Sequence, residues 1–185
     1  MRQDLCAKTR WLHLASKSNP ICDAFCFSAD GDIHTFGESN VSQLASLKVL
    51  IADDHFLIRQ FVRNTLKESK IENVQTAADG NEAIDFVQKA KAENEPFDIV
   101  FLDWNMPTIS GLEVLSYFRA KPEYSDTAFV MLTAESEQQN LMKAIKAGAT
   151  SYIVKPVSPS DLSKKLYEIN EWIKRKRQAS NGIFG

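Results

Sequence analysis

Cysteine is scarce and confined to one end of the chain: the three cysteines, Cys6, Cys22 and Cys26, all precede residue 27. The rest has none, which excludes a disulfide framework there and leaves its stability to packing. Beside His13 and His34, Cys22-x-x-x-Cys26 is open to zinc, but the spacing is irregular and no second pair follows, so reduced thiols are the simpler expectation. No apolar run approaches the roughly eighteen residues of a membrane span, and the run within residues 1–16 is too short for a secretory signal. A cytoplasmic protein without membrane insertion is the expectation. Charge of one sign is lacking too: 24 acids against 22 bases give a formal net charge of −2, so direct nucleic-acid binding is not expected. Glycine is sparse, and no Gly-rich loop followed by Lys-Ser/Thr is present, which excludes a nucleotide site of that kind.

What is present is 44% hydrophobic and 25% charged residues over 185 positions, enough for one domain with a real core plus additional chain. Residues 1–46 show no sustained periodicity and are punctuated by Ser-Lys-Ser-Asn-Pro and Ser-Ala-Asp-Gly-Asp. Phe25-Cys26-Phe27 and Ile33 to Phe36 are candidates for a hairpin, which is marginal in water by itself. The segment is therefore expected to be a poorly structured or weakly docked extension. A translation start near Leu44 or Leu47 is the alternative.

From Lys48 the pattern changes to short apolar runs alternating with amphipathic stretches, the signature of a β/α sheet. Five strands are predicted, at 49–52, 73–77, 99–102, 128–132 and 151–154, the second weak and near an edge. Between them, Ile58, Phe61, Val62 and Leu66 form an inward stripe while Arg59, Arg63 and Lys67 face water. Asp79 with Glu82, Ser110 with Glu113 and Ser136 with Gln139 are capping patterns, and Ser158 with Pro159 opens the last helix. That helix carries Leu162, Leu166, Ile169 and Ile173 inward and ends in Lys174-Arg-Lys-Arg177, a dipole-matched basic end. The units are then 1–46 extension, 47–177 folded domain and 178–185 frayed tail.

Right-handed crossovers return every strand in the same direction, giving a doubly wound α/β fold: five parallel strands with helices on both faces. All strand ends then lie on one edge, which gathers Asp53, Asp54, Asp103, Thr133 and Lys155 around one crevice. Each has a bland explanation as a cap, turn or strand end, but five together at one edge point to chemistry. Three packed carboxylates repel unless a hard divalent cation sits among them, and Mg²⁺ suits such oxygen ligands. Asp103 is central and suited to attack phosphorus, with Lys155 neutralising phosphoryl oxygens and Thr133 donating its hydroxyl.

Asp53-Asp54, Asp103-Trp-Asn-Met-Pro107, Thr133-Ala134 and Lys155-Pro156 resemble the receiver domain of two-component response regulators, especially its stand-alone chemotaxis members, from about Lys48 to Lys174. The resemblance implies a flavodoxin-like fold and a phosphoacceptor signalling protein rather than an enzyme. Its chemistry would be limited to Mg²⁺-dependent self-phosphorylation and autodephosphorylation. It implies that Asp103 takes a phosphoryl group from the phosphohistidine of a histidine kinase. Mg²⁺ would be held by Asp54, Asp103 and the Asn105 backbone carbonyl, with Asp53 acting largely through water. Thr133 and Tyr152 match the family's switch pair, Asn105 and Glu135 the positions that tune hydrolysis, and the bond before Pro156 is implied to be cis. A downstream protein is expected on the face of the fourth helix, fifth strand and fifth helix, biased by the new charge. His55, after the acid pair and expected as a helix-start residue, and the long leading segment depart from the minimal pattern.

Competing readings are a relay intermediate that passes phosphate to a histidine phosphotransfer protein, and an unphosphorylated pseudo-receiver, against which the intact acid pocket argues. A phosphohydrolase of the haloacid dehalogenase type wants a second Asp two residues after the nucleophile, where Asn105 stands. Too few residues follow the domain for a helix-turn-helix output module.

Overall fold

The computed structural model describes residues 44–134 and 138–181. The expected hairpin, the cysteines, Glu135 and the Ser136 cap lie outside the described residues. Five strands, β1 (Val49–Ala52), β2 (Val74–Ala77), β3 (Ile99–Asp103), β4 (Ala128–Ala134) and β5 (Ser151–Lys155), alternate with α1 (Phe56–Glu68), α2 (Gly80–Ala92), α3 (Gly111–Arg119), α4 (Gln138–Lys146) and α5 (Pro159–Asn181). The strands form one parallel sheet in the order β2-β1-β3-β4-β5. β2 is an edge strand and its exposure alternates, as expected of a run broken by Gln75 and Thr76. The chain reverses direction across the sheet between β1 and β3, and the crevice beyond that switch point is where such sheets bind ligands.

Period-two alternation of the buried strands divides the core in two. Leu50, Val100, Leu102, Phe129 and Met131 point to one face and pack against α2, α3 and α4. Ile51, Ile99, Phe101, Val130 and Leu132 point to the other and pack against Val62 and Leu66 of α1 and Leu162, Leu166, Ile169 and Ile173 of α5. Each fully buried Phe, Leu or Ile contributes about 1.5–3 kcal/mol relative to an exposed one, so β1, β3 and β4 are rigid supports. All four α5 positions predicted inward are buried.

The helix starts follow their capping chemistry. Asp79 Oδ1 accepts from the Glu82 N–H at 2.9 Å, and Ser110 Oγ accepts from the Glu113 N–H at 3.3 Å while Glu113 returns a bond to the Ser110 N–H at 2.9 Å. Ser158 Oγ accepts from the Asp161 N–H at 3.1 Å ahead of Pro159. Gly148, with φ +91°, follows α4 in the left-handed region.

Two expectations need correction. Phe61 is not part of the inward face of α1: it is 40% exposed, and Thr65 is buried instead, its hydroxyl satisfied by the Phe61 carbonyl at 3.1 Å. The position lies at the margin of the apolar stripe, where a small residue one turn on fits the sheet better than a ring. The expected fraying after 177 is also displaced, since α5 continues to Asn181 through Gln178-Ala-Ser, which contains no helix breaker. No described helix is long and apolar enough to cross a membrane.

Candidate functional site

The register brings the carboxyl ends of β1, β3, β4 and β5 to one edge. Asp53 follows Ala52, Asp103 ends β3 opposite Leu132, and Thr133 and Ala134 pair with Val154 and Lys155. Apolar neighbours keep this edge dry at its base: Asp53 is fully buried, and Asp103 and Thr133 nearly so. The peptide bond between Lys155 and Pro156 is cis.

Lys155 joins the two buried acids. Its Nζ donates to Asp53 Oδ2 at 2.8 Å and to Asp103 Oδ1 at 2.5 Å, across separations of about a hundred and about fifty residues. Burial raises the Asp103 carboxyl above the ordinary aspartate range; the Lys155 hydrogen bond and charge pull it back, and the charges of Asp53 and Asp54 push it up again. For Lys155, burial alone disfavours the ammonium, but the hydrogen bonds and charges of Asp103 and Asp53 outweigh it and leave the pKa raised. The ammonium therefore stays charged between carboxylates. One ammonium between two of the three clustered acids leaves negative charge over, and that excess is what a further cation would meet.

The acid pair is built into the turn that starts α1. Asp53 Oδ1 accepts from the His55 N–H at 2.8 Å, so both oxygens of Asp53 are engaged within the protein. Arg59, expected to face water, instead reaches back: its Nη1 donates to the backbone carbonyls of Asp53 at 2.6 Å and Asp54 at 3.1 Å. Arg63 is also only partly exposed, and its buried Nε has no hydrogen-bond partner among the described residues. Among the described residues, Asp53, Asp54 and His55 bring ligand-type atoms within 4.8 Å of one another. The two acids offer carboxylate oxygens, hard ligands that match Mg²⁺, and His55 a ring nitrogen.

Asn105 lies exposed just beyond β3, and Tyr152 is half-buried on β5 against the core, with Lys165 Nζ 5.6 Å from its ring centroid. Behind Asp103, the chain turns sharply: a side chain at Gly111 would strike the Asp103 carbonyl oxygen, so only glycine lets α3 start so close to the end of β3. Sequence reasoning missed this contact and the reach of Arg59, whereas His55, expected at a helix start, is the N-cap residue of α1. Arg59 carried a signal, since it stands one turn into the helix after the acid pair. The side-chain direction of His55 had none.

A family model described as the response regulator receiver domain matches residues 49–167. The chain is similar to a chemotaxis protein CheY homolog of Campylobacter jejuni subsp. jejuni serotype O:23/36 (strain 81-176), 37% identical over 123 residues that span 66% of this chain and 92% of that protein. It is also similar to the structure of Vibrio cholerae chemotaxis protein CheY4, at 38% identity and TM-score 0.59, covering 66% of this chain and 98% of that one. The receiver domain of AraT, a response regulator from Geobacillus stearothermophilus, is 28% identical at TM-score 0.62, with 71% and 98% covered. The acid crevice, the parallel sheet of order β2-β1-β3-β4-β5 and the family match place this chain in the response regulator receiver family.

Proposed function

We propose that this protein is a phosphorylation-dependent signalling switch in which Asp103 of the receiver domain accepts a phosphoryl group from a histidine kinase. The observation that carries the reading is the Lys155 ammonium held at once by Asp53 and Asp103. An Asp103 oxygen attacks phosphorus as the bond from phosphorus to the donor's imidazole nitrogen breaks, and the electron pair of that bond stays with the imidazole. The product is an acyl phosphate. Lys155, anchored by the buried Asp53, faces the phosphoryl oxygens as their charge rises, and the Thr133 hydroxyl donates to one of them. Asp54, Asp103 and the Asn105 carbonyl would hold Mg²⁺, with Asp53 acting through water, in keeping with its two oxygens being engaged already. The ion, when bound, neutralises phosphoryl oxygens. Asn105 and Glu135 tune the hydrolysis that resets the switch.

Thr133 and Tyr152 stand on adjacent strands and form the switch pair, Thr133 drawn toward the phosphoryl group and the ring moving inward. The downstream protein docks on α4, β5 and α5, where Met142, Ile145, Val154 and Tyr167 are exposed. The receiver unit is taken as residues 47–177, the setting as cytoplasmic, and the pathway as chemotaxis, after the names of the similar proteins.

Incubation with Mg²⁺ and acetyl phosphate followed by intact-mass measurement tests the reading. A gain of one phosphoryl group that disappears in Asp103→Asn and on chelation is expected. No gain, or a gain that survives Asp103→Asn, overturns it.

A further inference from the structure

We propose that the first turn of α2 positions the loop that leaves Asp103, with Asn81 as a positioning residue that holds Thr108 in a strained turn; this rests on the reading of the site given above. Among the described residues, three other than glycine have positive φ: Lys70 at 68°, Asn94 at 57° and Thr108 at 65°. Lys70 and Asn94 stand just past the ends of α1 and α2, where the left-handed conformation closes a last helical turn. Thr108 closes no helix, and a β-branched residue in that conformation is an outlier. Across it the Ile109 N–H donates to the Pro107 carbonyl at 2.8 Å, so Thr108 is the centre of a γ-turn, and its positive φ makes this the rare, strained form. Strain of this kind persists only where the surroundings over-determine it.

Here the start of α2 does so. Asn81 Nδ2 donates to Thr108 Oγ1 at 3.0 Å, and that hydroxyl donates to the Pro107 carbonyl at 2.6 Å, which thereby accepts two hydrogens. Gly80, next to Asn81, approaches so closely that a Cβ there would lie 2.4 Å from the Ile109 carbonyl oxygen. The helix start is itself fixed, because Asp79 accepts from the Glu82 N–H and Glu82 Oε2 accepts from the Ala78 N–H at 2.7 Å. At the loop's other end the Gly111 N–H donates to the Trp104 carbonyl at 3.2 Å. Asn105 lies inside this closed loop, three positions before Thr108. Its main-chain carbonyl, read above as a cation ligand, therefore takes its direction from the turn, and relaxation of Thr108 to negative φ would redirect it.

The test compares the full chain as wild type, Asn81→Ala, Thr108→Gly and the double variant, with two readouts. Hydrogen exchange of the Ile109 amide in chelator reports the turn without any metal, and Asn81→Ala is expected to exchange about fivefold faster, the share of one net hydrogen bond. Mg²⁺ titration followed by tryptophan emission, Trp104 adjoining Asp103, reports the crevice. Asn81→Ala is expected to bind Mg²⁺ about tenfold more weakly, the usual cost of removing a supporting partner. Glycine adopts positive φ without penalty and has no need of the clamp, so Thr108→Gly and the double variant are both expected within about threefold of wild type. A general loss of stability on replacing Asn81 would not be repaired by a glycine. Binding by Asn81→Ala within about twofold of wild type overturns the proposal, as does a double variant no tighter than Asn81→Ala or an unchanged Ile109 exchange rate in Asn81→Ala. A wild type with no saturable Mg²⁺ response overturns the cation-dependent reading of the site and this role with it; a saturable response indifferent to Asn81 removes only this role.

Discussion

Arg119, at the end of α3, ties the far side of the domain to the strand that carries Lys155. Its guanidinium donates to the Gly148 carbonyl at 2.7 Å, the Tyr124 carbonyl at 2.9 Å, the Thr127 carbonyl at 3.1 Å and Thr150 Oγ1 at 3.0 Å. It also stacks 4.7 Å from the Phe129 ring centroid. Replacing it by Met keeps the apolar stem and removes all four donors. Hydrogen bonds to a charged group contribute about 1.5–3 kcal/mol each, but one guanidinium shares these four and they do not add. Burial disfavours the cation and lowers its pKa, which offsets part of the gain. With the carbonyl of the buried Thr127 left to find water and that of Tyr124 keeping only the Thr127 N–H at 3.3 Å, Arg119→Met should cost about 3 kcal/mol. At a urea slope of about 2 kcal/mol per molar, the unfolding midpoint falls by about 1.5 M. Arg119→Lys retains charge without the planar fork and should fall in between. A Met variant within about 0.3 M of wild type, or a Lys variant equal to it, refutes the clamp.

Other perturbations probe the crevice itself. Asp103 has a folded pKa above its unfolded value, so its contribution to stability is fully present below the unfolded pKa and is lost as pH rises through the folded one. Asp103→Asn should therefore be the more stable protein at neutral pH in chelator and lose less stability between acid and neutral pH; parallel urea midpoints for both proteins across that window would refute this. Lys155→Met should destabilise wild type by about 3 kcal/mol, because two buried acids lose their counter-ion, and distinctly less in an Asp103→Asn background. Equal costs in both backgrounds would show that the ammonium and Asp103 are not coupled. Gly111→Ala should cost about 1–3 kcal/mol and slow phosphorylation by acetyl phosphate, since the new methyl strikes the Asp103 carbonyl; unchanged melting and rate would contradict the close approach.

The features legible in the sequence are those governed by period and local chemistry. Apolar runs ending at Asp53, Asp103 and Thr133 located the strands, and parallel crossovers placed their ends on one edge without any contact being known. Ser110 and Ser158 marked helix starts because their hydroxyls bond within the next turn. What escaped depends on where a long side chain folds back. Arg59 has the same helical spacing as a solvated residue yet binds the carbonyls of the acid pair, and Arg119 closes bonds to residues up to thirty-one positions away. Phe61 shows the converse: it fits the apolar period and still lies outside the core, because the edge of a stripe is settled by packing.

The central claim is that one carboxylate, that of Asp103, carries the transient phosphate. Borohydride reduction converts an aspartyl phosphate to homoserine, so peptide mapping of protein treated with Mg²⁺ and acetyl phosphate and then reduced identifies the acceptor directly. Homoserine at position 103 alone, lost when the metal is chelated, is the expected result. Homoserine at 53 or 54, or none at any position, would contradict it.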